Sequence, residues 1–418
     1  MTPAMRDGTR ALRELAHACA ADSARLWGHT LCGPVLLIDP RTRAAVANVA
    51  PAPASDGGDS TFASDDGVFV GRIPSSILVA NTSITWRGTD WATVPLPLPS
   101  SPFSRLSLLT HESFHRLQPV LHLRATDPSS AHLETEAGRT WMRLEVRALA
   151  RALRSSGASM RTSIHDALLF RAFRNSLTPG SDTLERALEI QEGLPEYTGT
   201  VIALAATSES MDRVARDVEG LEDRASFARS FAYTTGPALG ILLDRTAPGW
   251  RKTVIQDGGM ARQLATATHF TRPANLAAAA SARASVYGGT AVFAGEHERN
   301  DLRLARTADY VRALVSGPVL RINADKTQRS FDPNTLFPLD TAGTVYPTGT
   351  FAAAWGKLEV TNGALLSADY GLLTVAAPSD TSARPLKGNG WALELAKNWI
   401  IRPAQRAGDF ELVPAPHL

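Results

Sequence analysis

The stretch Arg105-Leu-Ser-Leu-Leu-Thr-His111-Glu112-Ser113-Phe114-His115 decides how the middle of this chain is read. Its residues suit a helix, and Pro119 stands just beyond them as a stop signal. Helical positions four apart share one face, one turn from each other. His111 and His115 can therefore offer two imidazoles to one tetrahedral zinc. Glu112 stands beside them, close enough to take a proton from a water that the ion activates. The competing reading is two core or surface histidines on an ordinary helix.

Outward from this helix the chain changes texture on both sides. Ahead of it, short β-branched or alternating runs at 34–38, 44–49, 67–72, 77–87 and 91–98 predict a small sheet. A Gly/Asp/Ser-rich stretch over 52–66 reads as a surface loop, and the proline-punctuated 95–102 closes the sheet. From Ser104 to about Ala313 apolar residues recur at three and four, as at 133–153, 163–177, 183–196 and 208–221, which predicts helices. Beyond Gly317 strand patterns return at 319–322, 355–360, 371–377, 392–395 and 410–413. The expected class is α+β in three parts: 1–103, a helix and a small mixed sheet; 104–316, helical; 317–418, β-rich.

The bulk numbers narrow the partners. At 418 residues the chain exceeds one ordinary core. With 43 basic against 41 acidic side chains, the net charge of +2 gives no footprint for nucleic acid or an anionic membrane. Two cysteines, Cys19 and Cys32, exclude a disulfide framework and a four-cysteine metal site. Two buried thiols are expected, with one bridge as the other option. The first 27 residues carry Arg10, Arg13, Glu14 and Asp22 at helical spacing, so they read as an amphipathic helix. No apolar run reaches the length of a membrane span. The expectation is a soluble chain, cytoplasmic as it stands and exported if a signal peptide has been removed, of open oligomeric state.

A catalytic zinc takes three protein ligands, and Glu192-Gly193-Leu194-Pro195-Glu196-Tyr197 offers a carboxylate for the third place. Glu196, one turn after Glu192, can accept the second N–H of a ligand histidine. Phe231-Ala232-Tyr233-Thr234-Thr235-Gly236 adds a phenol able to donate to an oxyanion. For each segment a plain structural role is the alternative: solvated carboxylates at a helix end, and a core or capping tyrosine. Glu136 and Glu145 remain rival third ligands, Glu136 with twenty residues between it and His115. The Glu296-His297-Glu298-Arg299 segment reads as a solvated helix face. Trp86, Trp91, Trp355, Trp391 and Trp399 read as sheet-core positions.

The order HExxH, then EGxxEY, then Tyr-x-x-Gly before an apolar helix resembles the gluzincin metallopeptidases, and the M1 aminopeptidase branch among them. That resemblance implies a zincin-like helical catalytic domain in which His111, His115 and Glu192 hold Zn2+. It also implies Glu112 as general base and Tyr233 as transition-state stabiliser, with a peptide or protein as substrate. An edge strand ahead of the zinc helix, here 91–98, would pair with extended substrate. The HExFHR, EGLxEYTG and FDPNxLxPL stretches also resemble a family of uncharacterised bacterial proteins, which assigns no substrate. The chain departs from the aminopeptidase pattern in two ways. Seventy-six residues separate His115 from Glu192, which implies a helical insertion. No Gly-x-Met-x-Asn segment precedes the motif, so recognition of a free amino terminus is not implied. The expected activity is zinc-dependent peptide hydrolysis. The alternatives are an inactive zinc-stabilised scaffold and a zinc hydrolase of a non-peptide bond.

Overall fold

The helix that carries the motif starts at Pro102, two residues before the Ser104 at which helices were expected to begin. Ser101 accepts from the Ser104 amide, Pro102 opens the first turn, and the helix α2 runs Pro102–Leu117. The computed structural model describes residues 2–53, 62–74, 77, 79–123, 126, 128, 130–254, 256, 258–332 and 335–416. They form an α+β protein with an N-terminal sheet, a central helical region and a β-rich C-terminal region. Contacts divide it into two compact units, Met1–Glu296 and His297–Leu418, so the sheet and helices expected as separate parts at 103/104 share one unit.

In the first unit, α1 (Pro3–Asp22) is capped by Thr2 and turns its buried face, with Leu12 and Leu15, into the main core. Six strands follow: β1 (Val35–Ile38), β2 (Ala44–Ala47), β3 (Ala63–Asp65), β4 (Val68–Arg72), β5 (Thr82–Trp86) and β6 (Thr89–Pro95). They form one mixed sheet in the order β3-β4-β2-β1-β6-β5, with β1 and β6 parallel and the other pairs antiparallel. Val35 and Leu37 face the helical core, while Leu36 and Ile38 pack with Trp86 and Trp91 on the other face. Burial on both faces explains why β1 reads as an unbroken apolar run. Two expectations are corrected here. The 91–98 run is not an edge: β6 lies between β1 and β5, and β5 is the edge strand. Within the presumed 52–66 loop, Ala63–Asp65 is a strand paired with β4, and 54–61 lie outside the described residues.

The helices continue as α3 (Glu136–Leu153), α4 (Gly157–Leu177), α5 (Ser181–Leu188), a turn of π-helix (Glu189–Gly193), α6 (Leu194–Ala206), α7 (Met211–Glu219), α8 (Ser230–Thr246), α9 (Met260–Thr268), α10 (Leu276–Ala284) and α11 (Gly289–Val311). Helices α3 to α5 fill the interval between the motif and Glu192. They are tied by a buried ionic cluster: Arg171 and Arg174 of α4 bind Glu145, Glu185 and Glu189. At Gly199 a β-carbon would lie 2.4 Å from the Ser107 carbonyl oxygen, so glycine lets α6 close onto α2 and set Glu196 opposite His111. Glu296 is also corrected. It is buried and binds Arg139 and Arg143, where a solvated face was expected, while His297 beside it is exposed.

The second unit holds β7 (Val319–Asn323), β8 (Gln328–Ser330), β9 (Phe337–Pro338), β10 (Thr344–Tyr346), β11 (Gly349–Ala353), β12 (Gly356–Val360), β13 (Ala364–Leu366), β14 (Leu372–Ala376), β15 (Leu386–Gly388), β16 (Trp391–Leu395), β17 (Trp399–Pro403) and β18 (Phe410–Pro414). They build two sheets, β17-β18-β7-β14-β13-β10-β9 and β15-β16-β12-β11-β8. Leu320, Leu373 and Leu366 from one meet Phe351, Leu358 and Leu393 from the other in a single core. Trp86, Trp91, Trp355 and Trp391 are buried, as sheet-core positions should be, and Trp399 is half-buried. Pro333 and Asn334 of the FDPNxLxPL stretch lie outside the described residues.

Candidate metal centre

Three acceptor atoms from distant parts of the chain meet at one point in the first unit. His111 Nε2 lies 3.0 Å from His115 Nε2. Glu192 Oε2 lies 3.5 Å from the first and 3.6 Å from the second. A tetrahedral ion with bonds of about 2.0–2.1 Å holds its ligand atoms about 3.3–3.4 Å apart, and the observed separations bracket that spacing. Among the described residues, these three form the group of His, Cys, Asp and Glu side chains suited to a metal.

The surroundings fix which nitrogen faces inward. His111 Nδ1 lies 2.7 Å from Glu196 Oε2, and His115 Nδ1 lies 2.7 Å from Gln118 Oε1. With both Nδ1 atoms donating to these acceptors, both Nε2 lone pairs point toward the Glu192 carboxylate. Three converging acceptors call for a positive charge. Burial opposes a charged ring, but hydrogen bonds to Glu192 and Glu196 outweigh it and push His111 up to about 10. Against the cost of burial, the two imidazoles and the Tyr233 phenol hold Glu192 well below the usual carboxylate range. A divalent ion answers the same demand, and the residues present fit zinc.

Glu112 is buried, and its Oε2 has no hydrogen-bond partner among the described residues. Burial raises its carboxyl above the ordinary range, against the pull of His111 and His115. Tyr233 belongs to the first turn of α8, not to a segment preceding it. Its ring stacks on His111 at 5.6 Å, and its hydroxyl donates to Glu192 Oε2 at 2.7 Å. Burial, with Glu192 adding to it, pushes the phenol up, so it stays a donor.

Glycine makes this meeting possible. A β-carbon on Gly236 would lie 2.4 Å from Gly193 Cα and from its carbonyl oxygen, so α8 and the π turn touch backbone to backbone. The rival carboxylates stand elsewhere: Glu145 accepts from Arg171 and Arg174, and Glu136 opens α3. Cys19 is buried and Cys32 exposed, both as free thiols, so the expectation of two buried thiols is corrected for Cys32. Two site residues escaped the sequence reading. Gln118, one helical turn after His115, holds that ring, and Arg229, one turn before Tyr233, donates to Glu192 Oε1 at 3.3 Å. Their only signal was spacing of three and four from residues already singled out.

No helix among the described residues is long and apolar enough to cross a membrane. Compared with family models, curated proteins and solved structures, the chain matches none of them.

Proposed function

We propose that this chain is a zinc-dependent hydrolase of zincin-like design, acting on peptide bonds. The observation that carries the reading is the triangle of His111 Nε2, His115 Nε2 and Glu192 Oε2, with each Nδ1 held by its own acceptor. These three residues would hold the ion, and Glu196 would orient His111. Bound zinc would polarise a scissile carbonyl and lower the pKa of water in the site toward neutrality. Glu112, whose buried Oε2 has no hydrogen-bond partner among the described residues, would take a proton from the attacking water and return it to the leaving amine. Tyr233, kept protonated, would donate to the oxyanion as charge develops there. Arg229 would steady the far oxygen of Glu192.

The test is metal content by mass spectrometry of the intact chain, combined with turnover on a peptide library. One zinc per chain and cleavage that Glu112→Gln lowers about 10²–10⁴-fold while keeping the zinc are expected. Full turnover in that variant, or a chain that retains no zinc, would refute the reading.

A further inference from the structure

We propose that Gln118 is a positioning residue that ties the π turn carrying Glu192 to the tautomer of His115, so that one amide sets two ligands together. The inference rests on the zinc reading above and concerns how this chain prepares its ligands before any ion arrives.

The argument begins with Pro195. In the π turn Glu189–Gly193, the Leu194 amide reaches back to the Glu189 carbonyl. The next residue is proline and has no N–H. The carbonyl it would have met is that of Ile190 in π register, or of Gln191 in α register. Carbonyls turned from water need a donor, and for these two partly buried ones a single side-chain atom serves: Gln118 Nε2 donates to Ile190 O and to Gln191 O, at 3.1 Å each.

Those two bonds fix the amide. Turned over, Gln118 would set its oxygen against two carbonyl oxygens, so the nitrogen must face the π turn. Oε1 then faces His115 Nδ1 at 2.7 Å and can only accept. The proton of neutral His115 is thereby held on Nδ1, leaving Nε2 as the acceptor beside His111 Nε2 and Glu192 Oε2. The missing N–H of Pro195 is thus read out, through one side chain, as a lone pair on His115.

The test uses the full chain and two variants, Gln118→Met and Gln118→Met with Pro195→Ala, with zinc as the probe. Zinc affinity is measured by chelator competition, and the ring tautomer of His115 by nitrogen and carbon NMR shifts of the metal-free protein. Gln118→Met should weaken zinc binding about 10–100-fold and shift metal-free His115 away from its Nδ1–H form. In the double variant, the restored amide of residue 195 can bond a carbonyl that Gln118 no longer serves. The melting temperature should then recover while zinc affinity stays weak, a split that a merely structural role would not give. Wild-type affinity and tautomer in Gln118→Met would overturn the inference, as would affinity recovering together with stability. If wild type binds no zinc, the zinc reading fails, and the tautomer measurement still decides the role of Gln118.

Discussion

Replacing Gly236 by alanine tests the link between helix packing and the proposed metal site. The new β-carbon would sit 2.4 Å from the Cα and the carbonyl oxygen of Gly193. Non-bonded carbon contacts settle near 3.5 Å or beyond, so α8 and the π turn must part by about 1 Å, backbone from backbone. Glu192 precedes Gly193 and Tyr233 stands one turn before Gly236, so both sides of their 2.7 Å hydrogen bond move. Functional constellations tolerate about 0.5 Å, and a 1 Å misplacement can cost about 100-fold in rate. Gly236→Ala should therefore lose about 10–100-fold in zinc affinity and about 100-fold in turnover. Overpacking should cost about 1–3 kcal/mol of stability, offset in part by the better helix propensity of alanine, about 1 kcal/mol. The assay is chelator competition for zinc alongside thermal melts. Gly220→Ala is the control, since a β-carbon there meets nothing within 4 Å among the described residues; it should keep zinc affinity unchanged and hold or slightly raise stability. Wild-type zinc affinity and turnover in Gly236→Ala would show that this contact does not position Glu192.

Other perturbations bear on the same framework. Stripping the ion with a chelator should lower the melting temperature, because free zinc at about 1,000 times its dissociation constant contributes about 4 kcal/mol; an unchanged melt would argue against any bound ion. Arg174→Met takes one of two hydrogen-bonding partners from each of the buried carboxylates Glu145 and Glu185, and equilibrium unfolding should register a loss of about 3–5 kcal/mol. Acid should act through Glu185. Despite the cost of burial, Arg174 and His132 hold its carboxyl well below the ordinary range. A depressed folded pKa means the unfolded chain binds the proton first, so this stability is whole above the unfolded value of about 4.3 and drains away as pH falls below it. Melts flat from pH 6 to 3 would contradict that assignment.

The overall plan was legible because its signals are local. Alternation and β-branched runs mark β1, β2 and β4, and three-and-four periodicity marks α3 and α4, because burial periodicity follows from the geometry of each element alone. Pairing order is not local, and there the reading slipped: nothing in 91–98 says that β5 folds back to cover it. The same limit explains Glu296. A charged residue among charged neighbours reads as solvated until Arg139 and Arg143, more than 150 positions earlier, are known to reach it.

The segment Glu192-Gly193-Leu194-Pro195-Glu196-Tyr197-Thr198-Gly199 shows where site legibility stops. Two carboxylates one turn apart could be read as ligand and support, since helical spacing alone puts them on one face. The other letters have meaning only through partners elsewhere. A β-carbon on Gly193 would lie 3.2 Å from both the Ala232 carbonyl oxygen and Gly236 Cα, and one on Gly199 would lie 2.4 Å from the Ser107 carbonyl oxygen. Pro195 withholds an amide that Gln118 replaces, and Tyr197 donates to Asp244. Even the long interval between His115 and Glu192 follows from this arrangement. Convergence is imposed by the contacts at Gly193, Gly199 and Gln118 and not by chain length, so α3 to α5 can fill the interval without moving Glu192. Buried Arg171 of α4 supplies a further tie by binding Glu189 at the start of the π turn.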